Sequence, residues 1–396
     1  MKNLRTLEGI EVKGKRVLVR VDFNVPLDKE GKVADTTRLE ASLPTISYLA
    51  QRGARVILMS HLGRPDPDNP KDKLKKDEVA KAFAEIWGSP VRKLDHCHGA
   101  DVRKVVDEMK DGEVVLLENT RFFAGEKNND SEFAEEISQL ADLFVNDAFG
   151  TAHRAHASTV GVTKFLPAYA GFLLQREIEV MTPLLNNTPK PLVLLVGGAK
   201  IDTKIGILKK FMDIADTFLI GGGLANTFLF ASGFGVGESL CQEDMMEVAQ
   251  EIMLEAEAHH EKFLIPQDVV VASEISATAA TLDLPVEDVE GDMKILDIGK
   301  LAIEKYVDVI MNAGTVIWNG PMGLYELSPF AEGTKAMAEA MSKTDATTIL
   351  GGGDTIDAIK RFGHSFDEFT HVSTGGGAML EFLEGNVLPG VEAVMD

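Results

Sequence analysis

Cysteine is scarce in this chain of 396 residues, which contains only Cys97 and Cys241. Two cysteines cannot build a disulfide framework, so the composition favours a reducing compartment. Positive charge is also in short supply, because 40 Lys and Arg stand against 62 Asp and Glu, a formal net charge of −22. This balance argues against a nucleic-acid-binding protein, which needs a basic face. It leaves open a small anionic ligand held by a local cluster of arginines.

Long apolar segments are absent as well. Runs such as Leu192–Val196 fall far short of the roughly 20 apolar residues that cross a bilayer. The N-terminal stretch Met1–Thr6 lacks the apolar core of a signal peptide. These absences predict a soluble, cytoplasmic protein whose partners include neither a membrane nor a nucleic acid.

The short motifs of several enzyme classes are missing too. The Gly-Lys pairs that begin at Gly14, Gly31 and Gly299 are followed by Arg, Val and Leu, so none completes a P-loop. No G-x-G-x-x-G with a downstream acid is present, which weakens the interpretation as a dinucleotide dehydrogenase. The motifs G-x-S-x-G, H-E-x-x-H and paired C-x-x-C do not occur either.

Short runs rich in Val, Ile and Leu alternate with amphipathic helical stretches, such as Thr37–Gln51 and Gln175–Leu185. This alternation is typical of parallel sheets covered by helices on both faces, and it predicts an α/β protein. The predicted strands are Lys15–Asn24, Ala54–His61, Glu113–Asn119, Leu143–Phe149, Pro191–Gly198, Thr217–Gly221, Phe263–Val271, Thr315–Asn319, Thr347–Gly351 and His371–Thr374.

A polar segment with two prolines, Asn186–Pro191, divides the chain almost in half. At roughly 100–200 residues per domain, the length predicts two domains. The segment is therefore the predicted boundary between them.

Basic side chains follow the predicted strands of the first half. Ligands bind beyond the carboxyl ends of strands in open α/β sheets, and the arginine fork suits phosphate or carboxylate. The alternative is that these residues are solvated or ion-paired. The cluster comprises Arg38, Arg64, Arg121 and Arg154, with His61, His153 and His156 close by in the sequence.

Glycines follow the predicted strands of the second half. In Thr347–Asp357 an apolar strand leads through three glycines into a helix, an arrangement that exposes free N–H groups to an anion. Asp354 could cap that helix or hold Mg²⁺ against phosphate oxygens. The glycines at Gly221–Gly223, taken alone, indicate close packing.

Two further patterns carry weaker signals. Lys200 and Lys204 are four residues apart, so we expect them to share one face of a starting helix, where an anionic ligand would offset their unfavourable position. A solvated pair is the alternative. The cluster His96–His98 has no evident distant partner for a metal and is interpreted as structural.

Nine segments, taken in order, resemble the phosphoglycerate kinase family. The resemblance covers nearly the whole chain, and the combination is far more specific than any one segment. The segments are Arg20–Pro26, Ser60–Pro65, Leu117–Phe122, Asn146–Ser158, Leu195–Gly206, Leu219–Asn226, Trp318–Glu326, Gly351–Thr355 and Ser373–Glu381.

The resemblance implies two Rossmann-like parallel-sheet domains joined by a hinge, usually in a monomer. Residues 1–186, with a tail at about 386–396, would bind 3-phosphoglycerate or 1,3-bisphosphoglycerate. Residues 187–385 would bind ADP or ATP with Mg²⁺. The implied activity is reversible transfer of the acyl phosphate of 1,3-bisphosphoglycerate to ADP in glycolysis, which makes the chain a phosphotransferase with a carboxyl group as acceptor.

The resemblance also implies roles for individual residues. Arg38 and Lys204 would neutralise charge in the transition state, and the amide of Gly376 would face the transferring group. Glu326 would bind the ribose and Asp354 the metal. The phosphoglycerate would lie among Asp22, Phe23, Asn24, Arg38, His61, Leu62, Gly63, Arg64, Arg121 and Arg154. The nucleotide phosphates would lie among Lys200, Lys204, Gly352, Gly353, Asp354 and Thr355.

One departure from the family pattern stands out, because the acidic, proline-rich segment Asp66–Pro70 follows Pro65 where many members continue with Lys-Gly. Three alternatives remain open at this point: another two-domain kinase acting on a small phosphorylated acid, a non-catalytic nucleotide-dependent binding protein, and a dinucleotide oxidoreductase.

Overall fold

The computed structural model describes residues 3–65, 72–185, 188–258 and 262–396. The chain divides into two compact units, the first formed by Met1–Val180 with Val387–Asp396 and the second by Met181–Asn386. The acidic segment Asp66–Pro70 and the first two residues of the predicted boundary, 186 and 187, lie outside the described residues.

The first unit is built on a six-stranded parallel sheet. Its strands are β1 (Arg16–Val21), β2 (Arg55–Met59), β3 (Arg92–Lys93), β4 (Val114–Leu116), β5 (Leu143–Asp147) and β6 (Ala168–Ala170). They lie in the order β3-β4-β2-β1-β5-β6. The buried strands consist mostly of Val, Leu and Ile, as expected for a sheet covered on both faces.

The helices of the first unit lie between these strands, except for the last helix, which follows β6. They are α1 (Thr37–Ala41), α2 (Leu43–Gln51), α3 (Asp77–Trp87), α4 (Ala100–Asp107), α5 (Ala124–Lys127), α6 (Ser131–Ser138) and α7 (Phe172–Met181). The single helix predicted over Thr37–Gln51 is wrong, because it breaks at Ser42. Pro44 has no N–H to donate to the carbonyl of Glu40, so the first helix cannot continue. The helix predicted over Gln175–Leu185 ends at Met181 for a similar reason, since Pro183 disfavours helix at the residue before it.

The C-terminal segment packs on the first unit. Helix α15 (Pro389–Glu392) belongs to this segment, and the Asn146 side chain of the first unit donates to the carbonyl of Gly390 at 2.9 Å. The amide of Arg5 donates to the carbonyl of Val394 at 2.9 Å, which ties the two ends of the chain together.

The second unit is built on another six-stranded parallel sheet. Its strands are β7 (Leu192–Val196), β8 (Thr217–Ile220), β9 (Lys262–Leu264), β13 (Thr315–Asn319), β14 (Thr347–Gly351) and β15 (His371–Ser373), in the order β15-β14-β13-β7-β8-β9. Its helices are α8 (Ile205–Phe211), α9 (Gly222–Ala231), α10 (Met246–Ala258), α11 (Lys300–Met311), α12 (Glu332–Lys343), α13 (Gly353–Arg361) and α14 (Gly377–Leu383). Trp318 and Tyr306 are buried in its core.

A second, three-stranded antiparallel sheet in this unit was not predicted. It consists of β10 (Asp268–Ala272), β11 (Leu282–Pro285) and β12 (Lys294–Ile298). The single strand predicted over Phe263–Val271 is wrong, because Pro266 separates β9 from β10 and the chain changes sheets there. Proline cannot donate to a strand ladder, so it ends the pairing.

Both parallel sheets have the strand order that creates a binding crevice. The order reverses between β1 and β5 in the first unit and between β7 and β13 in the second. Ligands of α/β proteins bind at such points, beyond the carboxyl ends of the strands. Among the described residues, no helix is long and apolar enough to cross a membrane.

Candidate active site

Arg38 is oriented by two partners that follow β1. One of its guanidinium nitrogens lies 3.0 Å from the carboxylate of Asp22 and donates to the carbonyl of Asn24, also at 3.0 Å. The carboxylate of Asp22 is buried, whereas the Arg38 side chain is about one-third exposed. One nitrogen of the guanidinium is therefore held in place, and the partly exposed side chain leaves the charge accessible to an anion.

Gly63 links the loop after β2 to the loops after β1 and β4 of the first unit. Its amide donates to the side chain of Asn24 at 2.7 Å, and its carbonyl accepts from Arg121 at 2.7 Å. Gly63 has a φ of +61°, and a Cβ there would lie 2.8 Å from Leu74. The side chain of Asn119 accepts from the amides of Leu62 and Arg121 and so ties the loop after β2 to the loop after β4.

The local electrostatics of these loops are strongly positive. Burial, together with the charges of Arg154 and Arg20, lowers the pKa of Arg121 to about 10. Burial also lowers the pKa of His156 to about 4; Glu126 opposes this shift, and the charges of Arg121, Arg20 and Arg154 add to it. A cluster of positive groups that lowers the pKa of Arg121 and of His156 forms a ready site for an anion.

The remaining predicted site residues of the first unit differ from one another in burial and in hydrogen bonding. Arg64 is exposed and makes no hydrogen bond or ion pair with the described residues, so it is free to bind a ligand. Arg154 is exposed and its Nε lies 3.0 Å from Nε2 of His153. The side chains of Phe23 and Leu62 are buried in the hydrophobic core, which narrows their predicted role to backbone contacts.

Sequence reasoning did not single out the buried polar residues beneath these loops. Arg20 and Glu126 are completely buried, and so is Lys76, whose pKa burial lowers to about 7. The one signal available was Arg20 itself, an arginine within the apolar strand Arg16–Val21, where a surface residue is not expected.

The second unit contains two adjoining cavities. The larger has a volume of about 520 Å³ and the smaller about 380 Å³, and Gly198, Ala199 and Asp354 line both. Apolar groups such as Met322 and Leu240 line the larger, with exposed Glu326 at its margin. The smaller brings together Lys200, Lys204, Gly352, Gly353, Asp354, Thr355, Gly376 and Gly377.

The glycines at Gly221–Gly223 allow backbone segments to approach one another at the edge of these cavities. A Cβ on Gly222, whose φ is +66°, would lie 2.7 Å from the carbonyl oxygen of Gly198. A Cβ on Gly223 would lie 2.8 Å from the carbonyl oxygen of Ala199. These contacts agree with the interpretation of the run as a close-packing feature, and they keep the cavity wall free of side chains.

The two lysines do not share a helix face as expected. Helix α8 begins at Ile205, so Lys204 stands at its N-cap position and Lys200 lies in the turns before it. Lys200 is exposed, whereas Lys204 is partly buried and its ammonium contacts the side-chain oxygen of Asn319. Burial lowers the pKa of Lys204 to about 8, and the opposing charge of Asp354 raises it in part.

Helix α13 points its first turn at the smaller cavity. Gly352 occupies the N-cap position with a φ of +104°, so Asp354 lies inside the helix and does not cap it. Asp354 is exposed and forms no side-chain hydrogen bond with the described residues, so its carboxylate is available to a cation. Thr355 is buried, and its hydroxyl accepts from the amide of Gly320 at 2.8 Å.

The cluster His96–His98 is held by ordinary contacts. The thiol of Cys97 is buried and donates to the carbonyl of Glu118 at 2.9 Å, and burial raises its pKa. Nδ1 of His98 lies 2.8 Å from the carboxylate of Glu136, and its ring packs against Phe123.

Gly376 has a backbone conformation that only glycine adopts without strain, with φ of +53° and ψ of −116°. We expect Gly376→Ala to destabilise the second unit by about 1–2 kcal/mol because of this strain. Gly377→Ala is the matched control, since its φ is not positive and nothing lies within 4 Å of a Cβ at either position. Urea unfolding of the two variants measures the difference, and equal stabilities would contradict the assignment of strain to Gly376.

Comparisons with known proteins agree along the whole chain. A protein from Dictyoglomus turgidum named phosphoglycerate kinase is 49% identical over 396 residues, covering 100% of this chain and 99% of its own. A phosphoglycerate kinase structure from Coxiella burnetii has a TM-score of 0.86 at 37% identity and covers 99% of both chains. Another from Pyrococcus horikoshii has a TM-score of 0.88 at 32% identity and covers 99% of this chain and 98% of the other.

A family model described as phosphoglycerate kinase matches residues 7–386. With a match over nearly the full length and a relative at 49% identity, this chain belongs to the phosphoglycerate kinase family.

Proposed function

We propose that this protein reversibly transfers the acyl phosphate of 1,3-bisphosphoglycerate to ADP, giving 3-phosphoglycerate and ATP, as a transferase of glycolysis. The observation that carries the proposal is the smaller cavity of the second unit, where Lys204 and Asp354 line the same space as the first turn of α13. A helix N-terminus and a lysine together suit a phosphate chain, and the adjoining apolar cavity suits a nucleoside.

The first unit would hold the phosphoglycerate. Arg38, Arg64 and Arg121 supply positive charge, and Asn24 and Gly63 connect the loops that carry them. Glu326, exposed at the margin of the larger cavity, would accept hydrogen bonds from the ribose hydroxyls. The supporting physical feature is the positive charge around Arg121, whose pKa is lowered by burial and by the charges of Arg154 and Arg20.

Mg²⁺ fits the second unit through Asp354. Among the described residues, no group of three or more His, Cys, Asp and Glu side chains could hold a metal ion. Mg²⁺ typically takes one or two carboxylates and completes its shell with water and substrate phosphates, which matches a single accessible carboxylate. When bound, the ion would neutralise charge on the nucleotide phosphates.

The reaction needs no general base in the direction that consumes ATP. The attacking group is a carboxylate, which is already ionised at pH 7. The residues therefore act by positioning the two substrates and neutralising the charge of an in-line transfer. Arg38 and Lys204 would supply that charge, and the amide of Gly376 would donate to the transferring group.

Arg38 and Lys204 belong to different compact units, so we propose that the catalytic state forms when a hinge closes the two units on their substrates. Closure would also exclude water, which would otherwise hydrolyse the acyl phosphate. We further propose that the protein acts as a monomer in the cytoplasm, since one chain supplies the residues for both substrates.

The deciding experiment mixes purified protein with Mg·ATP and 3-phosphoglycerate, traps the acyl phosphate and counts the ADP formed. Turnover that requires both Mg²⁺ and 3-phosphoglycerate is the expected result. ATP binding without turnover would instead favour a nucleotide-dependent binding protein or a kinase for a different acid. Enhanced NADH fluorescence on addition of the protein would favour an oxidoreductase.

The role of Asp354 is tested by Asp354→Asn. We expect the variant to need roughly tenfold more Mg²⁺ for half-maximal rate, because an amide oxygen binds the hard cation more weakly than a carboxylate. Asp357→Asn is the matched control on the same helix, since that carboxylate is occupied by Tyr325 and Arg361 at 3.0 and 2.9 Å. An unchanged Mg²⁺ titration in Asp354→Asn would remove this residue from the metal site.

A further inference from the structure

His61 lies near the start of the loop after β2, with its side chain almost fully buried at 4% exposure. One of its ring nitrogens, Nδ1, lies 3.0 Å from NH2 of Arg20. The other, Nε2, makes no hydrogen bond with any described residue. The ring is thus held on one side only, and its second nitrogen remains for a ligand.

The contact with Arg20 determines where the proton of His61 resides. A guanidinium carries only donors and stays protonated in proteins, so it cannot accept a proton from the ring. Nδ1 must therefore be the acceptor and carry no hydrogen. A neutral imidazole with a bare Nδ1 has its hydrogen on Nε2, which makes Nε2 a donor.

Arg20 is itself held by a buried chain of hydrogen bonds. Its Nε donates to the hydroxyl of Ser158 at 2.9 Å, and that hydroxyl donates to the carboxylate of Glu126 at 2.6 Å. The carboxylate also accepts from the amide of Ser158 at 3.0 Å and from the hydroxyl of Thr120 at 3.2 Å. One buried anion therefore anchors the buried guanidinium and the loop that carries Arg121.

We propose that Glu126, Ser158 and Arg20 form a buried relay that fixes His61 as the neutral Nε2–H tautomer, so that Nε2–H donates to the anionic substrate of the first unit. The inference rests on the proposed function for the identity of that substrate. Arg20 and Glu126 are completely buried, so they act as positioning residues and do not contact the ligand.

The surroundings of His61 support the neutral form. Burial lowers the pKa of His61 well below its ordinary value, and the charges of Arg20, Arg121, Arg38 and Lys76 lower it further. A neutral donor has a specific advantage in this place. It offers a directed hydrogen bond to phosphate or carboxylate without adding another buried charge to a site already rich in cations.

The first test is ¹H–¹⁵N NMR of the histidine ring nitrogens in the free wild-type protein, with His61→Gln to assign the signals. We expect one protonated and one bare nitrogen for His61 at pH 7, with the hydrogen on Nε2. We also expect the ring to stay neutral on acidification through the pH range near 6.5 in which an ordinary histidine becomes protonated. An imidazolium or an Nδ1–H tautomer at pH 7 would overturn the proposal.

The second test removes one link of the relay with Ser158→Ala. Arg20 then loses its Nε partner, so we expect mixed tautomers of His61 and a KM for 3-phosphoglycerate about tenfold higher, with kcat little changed. Ser138→Ala is the matched control, because this buried serine donates only to the carbonyl of Ala134 within α6. Unchanged His61 signals in Ser158→Ala would exclude the relay.

These readouts separate the relay from the proposed function. The tautomer is measured in the free protein and depends on no activity. If the tautomer is as expected but 3-phosphoglycerate causes no shift of the Nε2–H signal and no turnover occurs, the relay stands and the proposed substrate is wrong. If turnover occurs but His61 carries its hydrogen on Nδ1, the proposed function stands and the relay is wrong.

Discussion

Replacing Arg38 with alanine is expected to lower kcat by roughly a hundred- to a thousandfold, whereas KM for 3-phosphoglycerate rises tenfold or less. The reason is the stage of the reaction at which the positive charge of Arg38 is needed. An arginine that neutralises charge present only in the transition state contributes to kcat, and one that only grips the ground state contributes to KM. Arg38 is suited to the first role because Asp22 and Asn24 orient it before any ligand arrives.

Arg64→Ala is the matched comparison for Arg38→Ala. Arg64 is exposed and has no hydrogen-bond partner among the described residues, so nothing orients it in advance. We expect its loss to raise KM for 3-phosphoglycerate more than it lowers kcat. Steady-state kinetics at saturating Mg·ATP distinguish the two patterns. An unchanged kcat in Arg38→Ala would exclude a transition-state role for that residue.

Replacing Lys204 with alanine is expected to lower kcat/KM for Mg·ATP by roughly a hundred- to a thousandfold. Lys204 is partly buried, its ammonium contacts the side chain of Asn319, and it lines the smaller cavity together with Asp354. A charge held there in a partly desolvated space interacts strongly with phosphate oxygens. Lys200→Ala is the control, since Lys200 lines the same cavity but is exposed, and we expect a much smaller effect.

The same lysine predicts a pH dependence. Burial lowers the pKa of Lys204 to about 8 in the free protein, and only the protonated ammonium can neutralise a phosphate. Because kcat/KM reports on groups of the free enzyme, it should fall as the pH rises through about 8. Lys204→Arg should remove this alkaline limb, since a guanidinium stays protonated there. A limb unchanged in Lys204→Arg would assign it to another group.

Much of the architecture followed from local patterns. Apolar runs such as Leu192–Val196 are long enough for one strand and too short for a helix of useful length, so their identity as buried strands was predictable. The boundaries were less predictable, because polar residues at strand ends fit a strand or a loop equally well. The strand predicted over Lys15–Asn24 is shorter in the structure, ending at Val21, where the loop that carries the site begins.

Three of the errors arose because proline or turn chemistry outweighed the pattern of residue types. Pro44 divided one predicted helix into two, and Pro266 divided one predicted strand between two sheets. Lys200 was expected on a helix, but the turns from Ala199 delay the helix until Ile205. In the two proline cases the spacing of apolar residues was correct and the backbone could not follow it.

The residue types of the candidate site could be predicted from the sequence. Arginines after the strands of one half and glycines after those of the other indicate two anion sites, because the carboxyl ends of parallel strands meet at one edge. The sequence could not predict which side-chain atoms of the site are available to a ligand and which are held by other residues. The sequence did not show that the carboxylate of Asp22, which stays a predicted substrate contact, also lies 3.0 Å from Arg38. It left Asp354 as either a cap or a cation ligand, and the structure removes it from the cap position.

Local pattern thus sufficed to predict the α/β class, which depends on residue type and short-range order, and the resemblance of nine segments in order identified the family. The protonation and orientation of the site depend on contacts between residues far apart in the chain, such as Arg20 with Ser158 and Lys204 with Asn319. Burial and long-range hydrogen bonds set a pKa and select a tautomer, and these arise only when distant segments pack together.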